Sequence, residues 1–331
     1  MKILVLGGAG YIGSHTVYRL IEQGNEVVIF DNLETGYIEA VHPKAKFYKG
    51  DLRNRVEIDA VLEKEDGIDA VIHFAANSLV GESMINPLKY YDNNLCGTKV
   101  LLESLVAHNI KNIVFSSTAA TYGEPKHTPI LEDDPTNPTN CYGETKKAME
   151  RMFYWTQQAH GLKYVSLRYF NACGAHISGK IGEAHNPETH LIPIILQAAN
   201  GTRDHISIFG TDYNTPDGTC IRDYIHVTDL AQAHILAVKY LLNGGESNIF
   251  NLGNGVGFSV REVIETAKKV TGKEIKVIEE ERRAGDPAIL IASSDKAKNI
   301  LGWKPEYDDL STIIETAWKW HSTHLNGYLS D

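Results

Sequence analysis

Three evenly spaced glycines between an apolar strand and a helix constrain the fold of this chain more than any other feature. Lys2 to Leu6 (KILVL) has the composition of a buried strand, and Gly7, Gly10 and Gly13 follow it directly. Glycine is needed where a backbone turns tightly and where it must approach a bound group closely. The next helix then presents free N–H groups and a positive dipole end to an anion. The pattern predicts a strand, loop and helix unit that binds a phosphate.

The first half of the chain alternates short β-branched runs with helical stretches, which is typical of a doubly wound parallel sheet with helices on both faces. The predicted strands are Lys2–Leu6, Glu26–Phe30, Lys46–Lys49, Asp69–His73, Asn112–Ser116 and Tyr164–Arg168. After Arg168 a Gly/Asn/His-rich stretch interrupts this rhythm. We therefore predict an α/β protein with a Rossmann-type domain at 1–170, a returning segment near 211–241, and a smaller mixed α/β substrate domain at 171–331.

Charge and hydropathy exclude several classes of partner. The 331 residues include 42 acidic and 32 basic side chains, for a net charge of -10, and the basic residues form no run that would attract a nucleic-acid backbone. No apolar stretch reaches the length needed to span a bilayer. We expect no nucleic-acid partner, no membrane association and a cytoplasmic location.

Metal and disulfide sites are not predicted. The four cysteines, Cys96, Cys141, Cys173 and Cys220, lie far apart and form no CxxC pair. His185 and His190 are five residues apart, and we see no cysteine or carboxylate cluster that would complete a metal site with them. We expect reduced thiols and no metal.

An acidic residue at the end of the second strand identifies the phosphate ligand as a dinucleotide. Asp31 lies eighteen residues beyond Gly13, where a carboxylate would hold the adenosine ribose hydroxyls. Asp31 would also repel a 2′-phosphate, and Asn32 and Leu33 supply no arginine, so NAD is favoured over NADP. A tight turn without a ligand would explain the glycines, but it would not require an acidic residue at the end of the second strand. We assign to this cofactor site Gly7, Gly10, Tyr11, Ile12, Gly13, Asp31, Asn32, Leu33, Thr35 and Gly36.

Residues that follow the third and fourth strands extend the predicted cofactor site. Asp51 and Leu52 follow the third strand, and Phe74, Ala75 and Ala76 follow the fourth. Ligands of open α/β sheets lie at these carboxyl ends. Each residue alone fits ordinary loop chemistry, but together with the glycine loop they indicate the adenine and nicotinamide ends.

A tyrosine and a lysine share one face of a predicted helix. Tyr142 and Lys146 are four residues apart in CYGETKKAME. A free tyrosine is about 0.1% phenolate at neutral pH, and lowering its pKa by ~3 units takes ~4 kcal/mol. A nearby ammonium and a positively charged nicotinamide both favour the phenolate, which makes Tyr142 a candidate base toward a hydroxyl group. A surface helix with a snorkelling lysine produces the same spacing.

A third hydroxyl makes a catalytic site the favoured interpretation. The strand NIVFS leads to Thr118, whose side chain lies at a strand carboxyl end and can orient a substrate hydroxyl. We predict that Tyr142, Lys146 and Thr118 are catalytic, and that all three also contact the cofactor.

These motifs together resemble the extended short-chain dehydrogenase/reductase family, and most closely its nucleotide-sugar epimerases. The similarity extends over the whole chain through GGAGYIGSHT, FDNL, VIHFAA, VGES, YYDNN, FSSTAATYG, RYFNACGAH, IFGTDYNTPDGTCIRDYIHVTDLA, NLGNGVG and RRAGDP. It implies NAD-dependent interconversion of UDP-glucose and UDP-galactose at C4, in a homodimer that pairs helices near 88–108 and 143–160.

The resemblance also implies roles for residues that are unremarkable by themselves. Phe170 and Asn171 would face the nicotinamide and the sugar, and Asn94 would support the cofactor. Arg222 and Arg283 would clamp the diphosphate, as suits a forked guanidinium. The remaining implied substrate contacts, in addition to Thr118 and Tyr142, are His190, Leu191, Phe209, Asp286 and Leu290.

Three positions depart from the family pattern. Thr118 replaces the usual serine and keeps its hydroxyl. Ser78 stands where a lysine is common, so one cofactor contact is lost or passes to water. His190 replaces an asparagine before the LIP segment and offers a donor of its own.

Substrate breadth and two other functions stay open at this level. Leu290 aligns with a bulky tyrosine that excludes N-acetyl sugars, so UDP-GlcNAc and UDP-GalNAc are possible substrates, unless Leu290 simply packs in the core. A 4,6-dehydratase would share the oxidation step, but Ala119 and Ala120 stand where that branch has an Asp-Glu pair. A non-catalytic NAD-binding protein is the third alternative.

Overall fold

The computed structural model describes residues 1–283 and 286–329, which form fourteen strands and eleven α-helices. The strands are β1 (Lys2–Leu6), β2 (Glu26–Asp31), β3 (Lys46–Lys49), β4 (Ala70–His73), β5 (Asn112–Ser116), β6 (Lys163–Arg168), β7 (Asn171–Cys173), β8 (Ile206–Phe209), β9 (Ile221–Arg222), β10 (Tyr224–His226), β11 (Asn248–Asn251), β12 (Phe258–Ser259), β13 (Val277–Glu280) and β14 (Ile289–Leu290).

The helices lie mostly between these strands. They are α1 (Tyr11–Glu22), α2 (Arg55–Lys64), α3 (Val80–Ile85), α4 (Pro87–Tyr90), α5 (Gly97–Ala107), α6 (Cys141–His160), α7 (Leu191–Asn200), α8 (Val227–Leu242), α9 (Val260–Thr271), α10 (Asp295–Leu301) and α11 (Leu310–His321). A π-helical stretch, Tyr91–Cys96, joins α4 to α5. No helix among these residues is long and apolar enough to cross a membrane.

Seven strands form one parallel sheet in the order β11-β6-β5-β4-β1-β2-β3. The predicted doubly wound α/β fold is therefore confirmed. The strand order reverses between β1 and β4, and a ligand crevice opens at the carboxyl ends of the strands at such a reversal. The glycine loop after β1 lies at this point, and so does the HFAA segment (residues 73–76) at the end of β4.

Helices cover both faces of the sheet, so its strands are apolar on both sides. In β1, Ile3 and Val5 join a core with Val17 of α1, whereas Leu4 and Leu6 join a second core on the opposite face. A strand buried on both faces has no alternation of polar and apolar residues. This explains the continuous apolar run KILVL.

The seventh strand comes from a part of the chain that we had placed in the second domain. β11 (Asn248–Asn251) pairs in parallel with β6, and Phe250 is fully buried. It lies beyond the predicted returning segment near 211–241, within which α8 packs against α1. A four-residue edge strand has too little periodicity for recognition in sequence. The domain division at residue 170 stays a prediction.

The remaining elements form a smaller layer with its own core. Helices α7, α9 and α11 pack together over residues that include Ile195, Val263 and Ile313. Helix α9 begins with a capping box, because the Ser259 side chain accepts from the backbone N–H of Glu262 and the Glu262 carboxylate accepts from that of Ser259. This layer carries the strands β8, β9 and β14, which contain three of the predicted substrate contacts, Phe209, Arg222 and Leu290.

Candidate active site

Two of the three loop glycines are required by the fold itself. Gly7 has φ +78°, and a Cβ there would lie 2.7 Å from the backbone nitrogen of Ala75. A Cβ at Gly13 would lie 2.1 Å from the carbonyl oxygen of Gly7. Contacts this short exclude any side chain at either position. The glycine loop therefore packs closely against the HFAA segment.

Gly10 has no such internal reason to be a glycine. Its φ is -79°, and a Cβ there would meet only the Gly7 carbonyl oxygen among the described residues, at 3.4 Å. Gly10 caps α1 without a side-chain hydrogen bond, and the first turn of that helix contains no acidic residue. A pyrophosphate at this helix start would occupy the space of a Cβ. The residues present thus fit a dinucleotide.

We expect Gly10→Ala to fold normally and to lose nucleotide. Alanine is compatible with the backbone at position 10, so the added methyl group would obstruct the anion and not the chain. The nucleotide released on denaturation should fall about tenfold or more for an interference of ~1.4 kcal/mol or above. The control is Gly97→Ala, where the nearest atom, Leu52 Cβ, is 3.6 Å away. Full nucleotide content in Gly10→Ala would contradict this assignment.

Asp31 is buried at the end of β2 with both oxygens fixed. Its Oδ2 accepts from the N–H of Ala9 at 2.9 Å and its Oδ1 accepts from that of Leu33 at 2.8 Å. Burial raises the pKa of this carboxyl, and the two N–H groups oppose that rise. Leu33 has φ +60°, and Gly36 lies against Ala9. The carboxylate is therefore held beside the glycine loop, as the predicted ribose contact requires.

The segment after β3 lies next to this turn. Asn32 donates to Asp51 Oδ2 at 3.3 Å, and Arg53 donates to Asp51 through two nitrogens, at 2.6 and 2.9 Å. These bonds, chiefly those from Arg53, lower the pKa of Asp51 to about 2. Leu52 is buried in the core cluster of one sheet face, and Thr35 is exposed. Both remain predicted cofactor contacts.

Asn94 links the segment after β4 to the catalytic helix. It is fully buried, and its Oδ1 accepts from the N–H of Asn77 at 2.8 Å. Its Nδ2 donates to the carbonyl of Asn77 at 3.1 Å and to Thr145 Oγ1 at 3.0 Å. The residue before Asn77 is Ala76 and the residue after it, Ser78, is exposed. Asn94 thereby fixes this segment relative to α6.

The predicted catalytic residues converge at the end of β5. Tyr142 and Lys146 lie on one face of α6, with the Lys146 ammonium 5.8 Å from the centre of the Tyr142 ring. Thr118 is buried, its Oγ1 accepts from the N–H of Ala120 at 3.1 Å, and its hydroxyl lies close enough to the Tyr142 phenol to lower the pKa of that group. Lys146 Nζ donates to the carbonyl of Ser116 at 2.8 Å. The Thr118 hydroxyl, the Tyr142 phenol and the Lys146 amine are thus close together at the end of this strand.

Burial dominates the titration of both groups, which differs from our expectation for Tyr142. Burial raises the Tyr142 pKa to about 12, and the Thr118 hydroxyl opposes this only in part. Burial also lowers the pKa of Lys146 to about 7, against the attraction of Glu150. The Lys146 ammonium is therefore only partly charged near neutrality. A phenolate at Tyr142 needs further positive charge, which the nicotinamide position would supply.

A buried ion pair beneath the site was missed by sequence reasoning. Arg168 donates to Glu150 from Nε at 2.9 Å and from Nη2 at 2.5 Å, and Ser117 Oγ donates to the same carboxylate at 2.6 Å. Glu150 lies one turn beyond Lys146 on α6, at the same spacing as Lys146 from Tyr142. That spacing was visible in the sequence, and β6 was among the predicted strands, but the pairing of Glu150 with Arg168 was not. The pair holds α6 against β5 and β6.

The predicted diphosphate and uridine contacts form two groups on the smaller layer. Arg222 donates from Nη2 to Asp286 Oδ1 at 3.1 Å. The guanidinium of Arg283 stacks on the ring of Phe209, 3.8 Å from its centre. Arg222 is therefore paired with Asp286, and Arg283 is paired with Phe209.

Leu290 and Phe170 connect this layer to the catalytic residues. Leu290 lies opposite Arg222 in the β14-β9 pair. It and Phe170 pack, both partly buried, against a small apolar cluster of Ala119, Tyr122 and Ile130. Asn171 donates to the carbonyl of Asp223 at 3.0 Å. The side chain at position 290 therefore packs against the cluster that includes Ala119, the residue after Thr118.

The loop before α7 overturns one expectation. His190 precedes Leu191, the first residue of α7, and its Nδ1 lies 2.9 Å from Glu183 Oε1 and 3.2 Å from Glu188 Oε1. The interpretation that His185 and His190 lack neighbouring carboxylates was therefore wrong. These glutamates lie within seven residues of the histidines, but their convergence depends on how the loop folds. The substrate contacts of His190 and Leu191 stay predictions.

The chain is similar to known proteins over its whole length. Residues 3–253 match the model of the NAD-dependent epimerase/dehydratase family. The UDP-glucose 4-epimerase of Halalkalibacterium halodurans is 58% identical over 331 residues, which cover 100% of this chain and 98% of that protein.

Two solved structures are similar throughout. The UDP-glucose 4-epimerase of Brucella ovis in complex with NAD has a TM-score of 0.94 and 49% identity, and the match covers 96% of this chain and 97% of that chain. The UDP-Glc/GlcNAc 4-epimerase of Campylobacter jejuni has a TM-score of 0.86 and 44% identity, with 97% and 99% covered.

Proposed function

Because the chain belongs to the NAD-dependent epimerase/dehydratase family, we propose that it interconverts UDP-glucose and UDP-galactose by inverting C4 of the sugar. The observation that carries this proposal is the convergence of the Tyr142 phenol with Thr118 and Lys146 at the end of β5, in a fold whose glycine loop fits a dinucleotide. The full-length identity to an enzyme of this activity supports it. We place the reaction in galactose metabolism.

The chain supplies a base, an orienting hydroxyl and an anchor. Tyr142 takes the proton of the 4-hydroxyl, Thr118 orients that hydroxyl, and Lys146 supplies positive charge near the phenol. NAD, when bound, accepts the hydride from C4 and returns it, so the cofactor is regenerated in each cycle. Between these steps the sugar is a 4-ketone whose other face must turn toward the cofactor. UDP must therefore stay anchored while the sugar rotates.

Two arginines on the smaller layer are the proposed anchor. Arg222 and Arg283 hold permanent charge at the diphosphate, and forked guanidinium groups suit its oxygens. Asp286 and Phe209, which contact these arginines, would then bind the uridine ribose and base.

The test incubates purified protein with UDP-galactose and no added nucleotide, and separates the UDP-sugars by chromatography. We expect UDP-glucose to form and denaturation to release about one NAD per chain. A product that has lost water would identify a 4,6-dehydratase. Bound NAD without turnover on any UDP-sugar would identify a nucleotide-binding protein.

N-acetylated UDP-sugars are proposed as additional substrates. Leu290 is shorter than the tyrosine that closes this position in narrow relatives, and it packs against the apolar cluster that contains Ala119, the residue after Thr118. The Campylobacter jejuni structure with 44% identity is described as a UDP-Glc/GlcNAc 4-epimerase.

We expect Leu290→Tyr to reduce turnover of UDP-GlcNAc relative to UDP-galactose by about tenfold or more, since excess volume in a fitted pocket costs ~1–3 kcal/mol. The measurement is the ratio of kcat/KM for the two substrates. Leu131→Tyr is the control, because Leu131 is an exposed leucine outside the site. An unchanged ratio in Leu290→Tyr would place that side chain outside the sugar pocket.

We also propose a cytoplasmic homodimer. The segment near 88–108 and the helix near 143–160 present exposed apolar side chains, Leu88 and Trp155, which are 76% and 60% exposed. Ile85, just before this segment, is 87% exposed. Pairing of these helices between two chains would cover such residues. Light scattering should give twice the chain mass, and Trp155→Glu should shift it toward the monomer.

A further inference from the structure

Four potential metal ligands converge in the loop before α7. They all belong to one eight-residue segment, and one ligand atom of each lies within 4.8 Å of the others: Glu183, His185, Glu188 and His190. Glu183, His185 and Glu188 have no role in the function proposed above. His190 is the one member of the cluster that is also a predicted substrate contact.

The ligand atoms lie close enough together for one ion to bring them into contact with it. Glu183 Oε1 lies 3.3 Å from Nδ1 of His185 and 2.9 Å from Nδ1 of His190, whereas Glu188 faces the two imidazoles with different oxygens, at 3.3 and 3.2 Å. A tetrahedral zinc ion with bonds of about 2.0–2.1 Å places its ligand atoms about 3.3 Å apart. One ligand atom of each residue lies within 4.8 Å of the others, so a bound ion would close the larger separations by small side-chain movements.

Charge gives a second argument. The side chains of Glu183 and Glu188 are only 3% and 5% exposed, and burial of carboxylates is costly without compensating positive charge. Among the described residues, the ion pairs of both carboxylates are made with the two imidazoles alone. Without an ion, the two protonated imidazoles balance both charges, because, against the effect of burial, the glutamates raise the pKa of His185 to about 9 and that of His190 to about 10. A divalent cation that displaces these protons would balance the same two charges.

The buried carboxylate of Glu183 also has an unsatisfied oxygen. Glu183 Oε1 is enclosed and aimed at both imidazoles, yet it forms no hydrogen bond of acceptable geometry with any described group. A buried acceptor without a hydrogen bond is rare in folded proteins and indicates a missing partner. A metal ion bonded to this oxygen would be that partner.

We propose that this loop binds one Zn²⁺ through both imidazoles and both carboxylates, as a closed site with four protein ligands. Two nitrogen and two oxygen ligands suit zinc, and a set of four side chains leaves no open position for catalysis. The ion would be structural, and the proposal is independent of the epimerase reaction.

The site would fix the loop between two functional elements. The ring of His185 meets the edge of Tyr11, the first residue of α1, with ring centres 6.0 Å apart. His190 directly precedes α7. A bound ion would therefore tie the glycine-loop helix to the start of α7 through one rigid loop. We expect chelation to lower the thermal unfolding temperature.

The experiment measures zinc in protein purified without a polyhistidine tag or chelator, followed by equilibrium dialysis against Zn²⁺. We expect about one Zn²⁺ per chain. Loss of an outer-sphere partner already weakens metal affinity about 10–100-fold. His185→Gln and Glu188→Gln each remove a direct ligand, so they should weaken Zn²⁺ binding by at least that factor, with circular dichroism confirming that they fold.

A matched histidine outside the loop provides the control. His127 lies 3.0 Å from Asp134, so His127→Gln removes a histidine and carboxylate pair without touching the cluster. Its zinc content should equal that of the parent chain. Zinc-edge absorption should show nitrogen and oxygen neighbours at about 2.0 Å. A chain that takes up no Zn²⁺, equal binding by His185→Gln, or a sulfur neighbour would each overturn the proposal.

Discussion

Tyr142→Phe is expected to lower kcat by about 10²–10⁴-fold, the usual contribution of a positioned general base. The variant removes one oxygen and leaves the ring in place on α6. Without the phenol oxygen, the proton of the 4-hydroxyl has no acceptor at the end of β5, because Thr118 is too weak a base. Nucleotide content and the unfolding temperature should stay close to those of the parent chain, since phenylalanine keeps the buried ring and the phenol oxygen makes none of the hydrogen bonds found among the described residues.

The control for this variant is Tyr154→Phe, a tyrosine on the same helix whose ring lies against Arg151 and Trp155. It should retain parental kcat. Undiminished turnover in Tyr142→Phe would remove Tyr142 as the base. Lost activity together with lost nucleotide would instead indicate a role in cofactor binding.

Glu150→Leu is expected to destabilise the protein by about 3–5 kcal/mol, the usual cost of leaving a buried charge unpaired. Arg168 is 5% exposed at its side chain and Glu150 6%, so water cannot replace the lost carboxylate. Ser117 would lose its acceptor as well. Urea unfolding of nucleotide-free protein gives the change in unfolding free energy.

Two further variants make this measurement specific. Arg55→Ala breaks an exposed pair with Asp59 and should change stability by less than ~1 kcal/mol. The double variant Glu150→Leu/Arg168→Met removes both charges and should recover much of the loss, because apolar replacement of a buried pair is often neutral. A cost below ~1 kcal/mol for Glu150→Leu alone would mean that water or another group compensates Arg168.

Local sequence was sufficient for six of the seven sheet strands and for the position of the nucleotide loop. The glycines, Asp31 and the apolar β1 lie within one strand, loop and helix unit, where spacing along the chain determines spacing in the fold. Tyr142 and Lys146 are likewise close because a helix repeats every 3.6 residues. For such residues a correct secondary structure already gives the geometry.

Features that depend on distant pairing were not visible. β11 joins the sheet beside β6, about eighty residues earlier in the chain, through only four residue pairs. The carboxylate of Glu150 on α6 forms an ion pair with Arg168 on β6. The loop that brings Glu183 to His190 has no periodicity at all. The direction of the Tyr142 pKa shift also could not be predicted from the sequence, because it is set by burial and not by the neighbouring amine.

The most direct test of the central claim uses UDP-galactose labelled with deuterium at C4 of the sugar. Oxidation and re-reduction at C4 within one site predict UDP-glucose that retains the label at C4, with no deuterium in the solvent and no net change in bound nucleotide. Mass spectrometry and NMR of the product measure this. Loss of the C4 label to water would contradict the account, because inversion would then proceed by proton exchange and not by return of the same hydride.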